Sequence, residues 1–171
     1  RLAIKAYASL PKITEVVKGV QVTDDELKGF QDKLTDYADV QKVMDGASVS
    51  DIMTIVMAAA LQFGTSDVHV EAAEETITVR FRIDGVLQEV AKLPHEFWKK
   101  IVARIKLISG LKINVTDRPQ DGRFTIFLKT GDTDVRVSTI PTTWGESVVM
   151  RLLRPGSINV EFGDLGFRPL A

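Results

Sequence analysis

The sequence of 171 residues contains no cysteine, which excludes disulfide bonds and thiolate metal ligands. With only two histidines, His69 and His95, it offers too few imidazoles for a typical zinc site, and we predict no bound metal. The longest apolar run, residues 52–61, is shorter than the roughly 20 residues that a membrane-spanning helix needs. No signal-peptide pattern opens the chain. We therefore expect a cytoplasmic protein without membrane insertion and, because it starts at Arg1 without a methionine, a fragment of a longer one.

Neither sign of charge dominates, since 22 lysines and arginines face 23 aspartates and glutamates. This balance argues against a protein that coats nucleic acid or an anionic membrane. One basic cluster falls within a helix predicted over residues 95–109, and we expect its side chains to face outward or along the flank: Lys99, Lys100, Arg104 and Lys106. No aromatic stacking motif accompanies this cluster, so nucleic-acid binding is not predicted.

No complete catalytic motif is present. The phosphate-binding pattern G-x-x-x-x-G-K-[ST] is missing, so we expect no hydrolysis of nucleoside triphosphates by this chain alone. Asp67, His69 and Glu71 alternate along one predicted strand and share one of its faces. No nucleophile or second base accompanies them, and hydrogen bonding at a domain or subunit boundary is the role that they favour.

Hydrophobic periodicity predicts an α+β fold. Helical spacing of apolar residues runs from Ser48 to a stop at Gly64, and again over residues 95–109 to a stop at Gly110. Spacing of two predicts six strands, at residues 67–71, 77–83, 86–92, 124–128, 133–140 and 147–153. Asp84-Gly85 is a strong hairpin signal. We predict an antiparallel sheet of about six strands, covered on one face by two helices.

The chain divides by composition into three parts. Residues 1–47 are predicted to be an N-terminal helical segment or linker; Thr23-x-x-Glu26 forms a capping box within it, whereas residues 13–22 fit a short helix or a strand. Residues 48–154 form the α+β domain. Pro155-Gly156 breaks regular structure, and residues 155–171 are predicted to be a linker.

Two of the predicted strands carry an arginine inside an apolar pattern. Arg136 lies between Val135 and Val137, and Arg151 lies between Met150 and Leu152, so alternation places both guanidinium groups on the face opposite the core. Such a group must reach solvent, a carboxylate or a phosphate. Spacing alone favours simple ion pairs, with Asp134 or Glu146 as partners.

Six blocks of sequence, in order, resemble a known family. They are SDVHVE at 66–71, VRFRIDGV at 79–86, RIKLISGL at 104–111, PQDGR at 119–123, VRVST at 135–139 and GESVVMRLL at 145–153. The chain resembles the PAS-like N-terminal domain that precedes the motor domain of type II secretion and type IV pilus assembly ATPases. The resemblance spans about residues 48–168. At Trp144 the chain departs from the histidine that the family commonly carries, which leaves packing or an interdomain contact as the role of this side chain.

The resemblance implies that Arg136 and Arg151, with Arg123 of PQDGR as a third, contribute to nucleotide binding in an assembled ring. The partners implied are the C-terminal ATPase domain of the same or a neighbouring subunit, a homo-hexamer, and an inner-membrane platform or adaptor protein. ATP and Mg²⁺ would belong to the full-length parent, located in the cytoplasm at the inner membrane; this chain alone would bind neither tightly.

Two other readings of the sequence remain open. The chain could be a stand-alone PAS-like module that senses a small ligand, or an interaction module that binds a partner through residues 1–47. The sequence does not distinguish pilus extension from retraction or from protein secretion.

Overall fold

The computed structural model describes residues 19–21, 29, 34–129 and 131–153, and within them it shows an α+β fold. Three α-helices and seven strands make up the described elements. The helices are α1 (Tyr37–Asp45), α2 (Val49–Gln62) and α3 (Trp98–Ser109), the last preceded by a 3-10 turn at His95–Phe97. The strands are β1 (Gly19–Gln21), β2 (Asp67–Ala72), β3 (Thr76–Ile83), β4 (Val86–Pro94), β5 (Gln120–Phe127), β6 (Thr133–Thr142) and β7 (Gly145–Leu153).

The seven strands form one sheet in the order β1-β5-β6-β7-β2-β3-β4. Six of them pair antiparallel, as predicted, and the three-residue β1 adds a parallel edge strand beside β5. Asp84 and Gly85 both adopt positive φ, at 49° and 82°, which is the backbone that a tight two-residue hairpin requires. The central pair β7–β2 joins strands that are far apart in sequence.

The predicted start of α2 and the predicted end of α3 are both found, but Ser48 does not cap the backbone as its position suggested. Gly110 ends α3 in the left-handed conformation at φ 71°, and its amide donates to the Leu107 carbonyl. Ser48 precedes α2, but its hydroxyl donates to the Asp51 carboxylate at 2.7 Å instead of capping the backbone. The capping box at Thr23 lies outside the described residues.

The first helix packs on the folded unit. Asp36 caps α1 by accepting from the Tyr37 amide, and the buried side chains of Val40 and Met44 join the common core. The Gln41 side chain hydrogen-bonds both backbone groups of Lys92, at 2.5 and 3.0 Å, so α1 occupies the outer edge of β4. A division of the chain at residue 48 stays a prediction, and the predicted linker at 155–171 lies outside the described residues.

One hydrophobic core fills the space between the helices and one face of the sheet. Each central strand contributes alternate residues to it: Val68 and Val70, Val79 and Phe81, Phe124 and Ile126, Val135 and Val137, Val148 and Met150. Gly122 lies on this covered face where α3 ends, and a Cβ there would come within 2.5 Å of the Ser109 carbonyl oxygen. Within the described part of the chain, no helix combines the length and apolar character needed to cross a membrane. The opposite face of the sheet, here called the open face, carries the polar half of each strand.

Candidate functional site

A line of charged residues crosses the open face at one level of the sheet. Arg123 of β5 lies directly opposite Arg136 of β6, and Arg136 lies directly opposite Arg151 of β7. These three residues are the arginine row. Asp67 of β2 follows opposite Arg151, and Arg82 of β3 follows opposite Asp67. Four arginines against one aspartate leave a net of three positive charges along this line.

Two members of the arginine row have no partner within the described residues. Arg123 and Arg136 are both exposed, and neither guanidinium group donates a hydrogen bond or forms an ion pair to any part of the chain that the structure describes. Like charges directly opposite each other on paired strands repel and destabilise a sheet. Placing three arginines side by side therefore works against folding stability.

Arg151 is held by the only acid in the line. Its Nε donates to Oδ1 of Asp67 at 2.7 Å, while 65% of the Arg151 side chain stays exposed. The Nε of Arg82 lies 3.4 Å from Oδ2 of the same carboxylate, and the Ser66 hydroxyl donates to it at 2.9 Å. Burial raises the pKa of Asp67, but these hydrogen bonds and positive charges outweigh it, and the net pKa is lowered.

Two residues further along the strands on the same face, the charged side chains are paired with hydrogen-bonding or oppositely charged neighbours. The Ser138 hydroxyl donates to the Asp121 carboxylate, and Glu71 pairs with Arg80. His69 lies within this level, with Nδ1 3.9 Å from Glu71.

An open depression of about 590 Å³ runs beside Arg123 and Arg136 and is lined by Asp121, Gly122, Arg123, Arg136, Val137 and Ser138. Its floor thus joins two unpaired guanidinium groups to a Ser–Asp pair.

The ion pairs that the sequence favoured for the strand arginines are wrong. The Asp134 carboxylate accepts from the Thr125 hydroxyl at 2.8 Å, and no ion pair joins it to Arg136. Glu146 is buried on the covered face, opposite to the side on which Arg151 lies. Adjacent residues of a strand point to opposite faces, and Glu146 and Arg151 differ by an odd number of positions. The true partner of Arg151 is Asp67.

The prediction that Lys106 faces outward or lies along the flank is also wrong. Lys106 is fully buried, and its Nζ lies 2.7 Å from both carboxylate oxygens of Glu146, donating to Oε2. Nζ also donates to the Val115 carbonyl at 2.7 Å, and the Gln120 side-chain amide donates to the same carbonyl at 2.9 Å. This pair joins α3, the start of β7 and the loop before β5. The other three residues of the basic cluster, Lys99, Lys100 and Arg104, are exposed as predicted.

Trp144 lies at the β6–β7 hairpin and is 48% exposed. Its carbonyl oxygen is 3.0 Å from Nε2 of His95, so the second histidine fastens this turn to the start of the 3-10 segment. The neighbouring Gly145 adopts φ 147°, and a Cβ there would come within 2.4 Å of Nε1 of Trp98. Trp144 is thus not a core residue, and its indole remains available at the surface.

The arginine row can bind an anion, and it suits one with several negative charges in a line. Guanidinium groups donate paired N–H groups that match phosphate and carboxylate oxygens. Adjacent strands lie about 4.8 Å apart, so the row extends over about 10 Å. No group of three or more metal-ligating side chains occurs within the described residues, and Asp67, His69 and Glu71 are engaged with arginines or with each other. The open face therefore presents an arrangement whose charge and spacing are complementary to a polyanion.

Sequence reasoning identified Arg123, Arg136 and Arg151 but missed Asp67 and Arg82 as their neighbours. The β2–β3 hairpin pattern placed Asp67 and Arg82 on paired strands. What the pattern lacks is the pairing of β2 with β7, which joins Asp67 to a residue 84 positions away. That contact depends on the order of strands in the sheet, and alternation within one strand carries no information about it.

The class of protein follows from comparison with known sequences. The family of type II/IV secretion system proteins matches residues 42–171, and the chain belongs to that family. The type IV pilus assembly ATPase PilB of Pseudomonas aeruginosa is 41% identical over 140 residues, covering 81% of this chain and 25% of that protein. PilB of Myxococcus xanthus is 35% identical over 176 residues, covering all of this chain and 31% of that protein.

The type II secretion system ATPase E of Vibrio cholerae serotype O1 is 32% identical over 152 residues, covering 89% of this chain and 30% of that protein. The chain thus spans between a quarter and a third of the length of these relatives. Among solved structures, the pilus retraction motor PilT with bound ADP is similar over 60% of this chain and 29% of its own, with 18% identity and a TM-score of 0.39. That score is too low to bear on function.

Proposed function

We propose that this chain is a non-catalytic domain of a type II secretion or type IV pilus assembly ATPase. In this proposal the arginine row contacts the phosphates of ATP held, with Mg²⁺, by a motor domain of the same or a neighbouring subunit in a hexameric ring. Motion of the row against the nucleotide couples hydrolysis to movement of the ring and of its partner at the inner membrane. The assembly would act in the cytoplasm, at the membrane surface.

One observation carries the proposal: Arg123 and Arg136 are exposed, adjacent and without a carboxylate partner in the described chain. A structural role for surface arginines would favour alternating signs across the strands, because opposite charges directly opposite each other stabilise a sheet. An uncompensated row fits an external anion instead. ATP supplies negative charge along its triphosphate, and guanidinium groups stabilise the charge that develops on transferred phosphoryl groups. The ATPase names of the relatives support this choice of anion.

The test uses the full-length protein that carries this chain. Arg123, Arg136 and Arg151 are replaced singly by alanine, and ATP turnover and the affinity for magnesium AMP-PNP are measured. We expect turnover to fall about a hundredfold for Arg136→Ala, less than the full contribution of an arginine finger because three guanidinium groups share the charge. The matched control is Arg104→Ala, which removes an exposed arginine from α3, away from the open face.

Unchanged turnover and unchanged nucleotide affinity in all three variants would defeat the proposal. A loss of equal size in Arg104→Ala would assign the effect to general surface charge. Oligomer size, measured by light scattering, separates loss of nucleotide contact from loss of the ring.

A further inference from the structure

Asp67 is the acid on which the geometry of Arg151 depends. The Asp67 residue is 4% exposed, and its carboxylate is fixed from two sides, by Arg151 Nε at 2.7 Å and by the Ser66 hydroxyl at 2.9 Å. Arg82 adds a third contact at 3.4 Å while its own Nη1 donates to the Gly85 carbonyl. The carboxylate is thus an ordered acceptor on a central strand, held by three neighbouring side chains.

The atom through which Arg151 is bound matters. Asp67 accepts from Nε, the nitrogen nearest the side-chain stem, and neither terminal nitrogen of the guanidinium donates a hydrogen bond to a described residue. A carboxylate that bound both terminal nitrogens would occupy the fork that recognises phosphate. Contact through Nε does the opposite: it restrains the plane of the group, while the terminal nitrogens keep their donors for another acceptor on a side chain that is 65% exposed.

Asp67 also balances charge where the row most needs it. Arg151 lies opposite Arg136 on one side and opposite Asp67 on the other, so the acid offsets the repulsion between neighbouring guanidinium groups. The pKa of Asp67 is lowered from its usual value, in the direction that its positively charged neighbours dictate. Burial alone would raise that pKa, but the contacts with Arg151, Ser66 and Arg82 prevail.

We propose that Asp67 is a positioning residue for the anion site, which holds Arg151 by its Nε so that the terminal fork faces the phosphate. The inference rests on the proposed function of the arginine row, but it assigns a role to a residue that touches no nucleotide. Asp67 acts only through Arg151, and this dependence gives a test that a purely structural role would not meet.

The test is a double-mutant cycle in the full-length protein, with the dissociation constant for magnesium AMP-PNP as the readout. Asp67→Ala is expected to weaken binding about tenfold, as an interaction with a charged group would by its loss. In the Arg151→Ala background, the same change at Asp67 is expected to alter the constant by less than about twofold, because nothing is left to position. Glu71→Ala is the matched control: it removes from the same strand a carboxylate that pairs with Arg80 of β3, and it should leave the constant unchanged.

Two outcomes overturn the inference and leave the proposed function standing. In the first, Arg151→Ala weakens binding while Asp67→Ala has no effect or has an equal effect in both backgrounds. In the second, Asp67→Ala tightens binding, which would show that the acid competes with phosphate for Arg151. If none of the three arginine variants changes either the constant or the turnover of ATP, the proposed function itself fails. Should Asp67→Ala not fold, Asp67→Asn carries the same cycle; it keeps the volume and loses the charge, and about a threefold weakening is expected.

Discussion

On the covered face of the sheet, the Lys106 ammonium is fully buried and lies 2.7 Å from both oxygens of a single carboxylate, Glu146. On the open face, Arg123 and Arg136 are exposed, lie directly opposite each other and have no acid within the described chain. The first arrangement is electrostatically complete, because the charges of Lys106 and Glu146 neutralise each other inside the molecule. The second leaves two guanidinium groups without a counter-charge in the described chain. The same type of charge thus serves the fold on one side of the sheet and, in the proposed function, a ligand on the other.

The difference predicts opposite signs for the effect of removing a positive charge. A buried pair that loses one partner leaves an uncompensated charge in the core, which costs far more than the pair itself contributes. An exposed row of like charges that loses one member relieves repulsion. Stability measurements on the described domain therefore separate the two roles without any knowledge of the nucleotide.

The largest effect is expected at the buried pair. Lys106→Met should lower the free energy of unfolding by about 3–5 kcal/mol, because the Glu146 carboxylate is left buried without its ammonium. The measurement is denaturant unfolding followed by circular dichroism. Lys100→Met, an exposed change in the same helix, should stay within about 0.5 kcal/mol.

The double replacement Lys106→Met with Glu146→Leu sharpens this result. Removing both charges together should recover most of the lost stability, since two apolar side chains can fill the space without desolvating an ion. A double variant as unstable as the single one would show that the contact of Lys106 with the Val115 carbonyl, and not the ion pair, carries the effect.

Next in size is a steric change on the covered side of β5. Gly122→Ala would place a Cβ 2.5 Å from the Ser109 carbonyl oxygen and 2.7 Å from Cδ2 of Leu111, in a strand whose next residue is Arg123. The backbone oxygen cannot rotate away, so we expect a loss of about 1–3 kcal/mol in the free energy of unfolding. Gly46→Ala, which meets nothing within 4 Å, is the control and should be neutral. Equal stability of both variants would show that α3 moves away from β5 without cost.

How far the sequence predicts this molecule depends on which interactions are local. Alternation within a strand placed Arg136 and Arg151 on the open face, and Asp84-Gly85 placed a hairpin, because both signals depend on a few consecutive residues. Lys106 fell on the polar flank of a helical pattern, yet it is buried because Glu146, 40 positions later, lies within its reach. A carboxylate that is distant in sequence can stabilise a lysine in the core, and hydrophobic periodicity within one helix cannot predict such a partner.

The arginine row also depends on long-range pairing that local sequence patterns do not predict. Each arginine was identifiable from its own strand, but their alignment depends on the registers of β5 with β6 and of β6 with β7. A shift of one residue in either pairing would turn a strand over and remove its arginine from the row. The row therefore exists only in the assembled sheet, although the local pattern of each strand is enough to recognise its arginine.

The third prediction reverses the sign of the first. Arg136→Gln should raise the free energy of unfolding by about 0.5 kcal/mol at low salt, because Arg136 lies between Arg123 and Arg151 and repels both. The gain should shrink at about 0.5 M NaCl, where exposed charges are screened. Arg104→Gln, which changes an exposed arginine of α3 away from the open face, serves as the control. A loss of stability in Arg136→Gln would mean that the guanidinium packs on the sheet and contributes to the fold.

The smallest effect is expected from His69, which lies on the open face one level away from the arginine row. Burial lowers the pKa of His69; the charges of Arg82 and Arg80 lower it further, and those of Glu71 and Asp67 partly oppose them. The folded state therefore resists protonation more than the unfolded state, whose histidine pKa is about 6.5. The stability that neutral His69 contributes is present above this value and declines as pH falls from it toward the lower folded pKa.

His69→Gln should remove this part of the pH dependence. Between about pH 7.5 and pH 5.5 the parent domain should lose more stability than the variant, as measured by denaturant unfolding at each pH. The matched control is His95→Gln, which changes a histidine held by the Trp144 carbonyl outside the sheet. If the slopes of parent and His69→Gln coincide, His69 is protonated equally in both states, and neither burial nor the charges of Arg82 and Arg80 lower its pKa on folding.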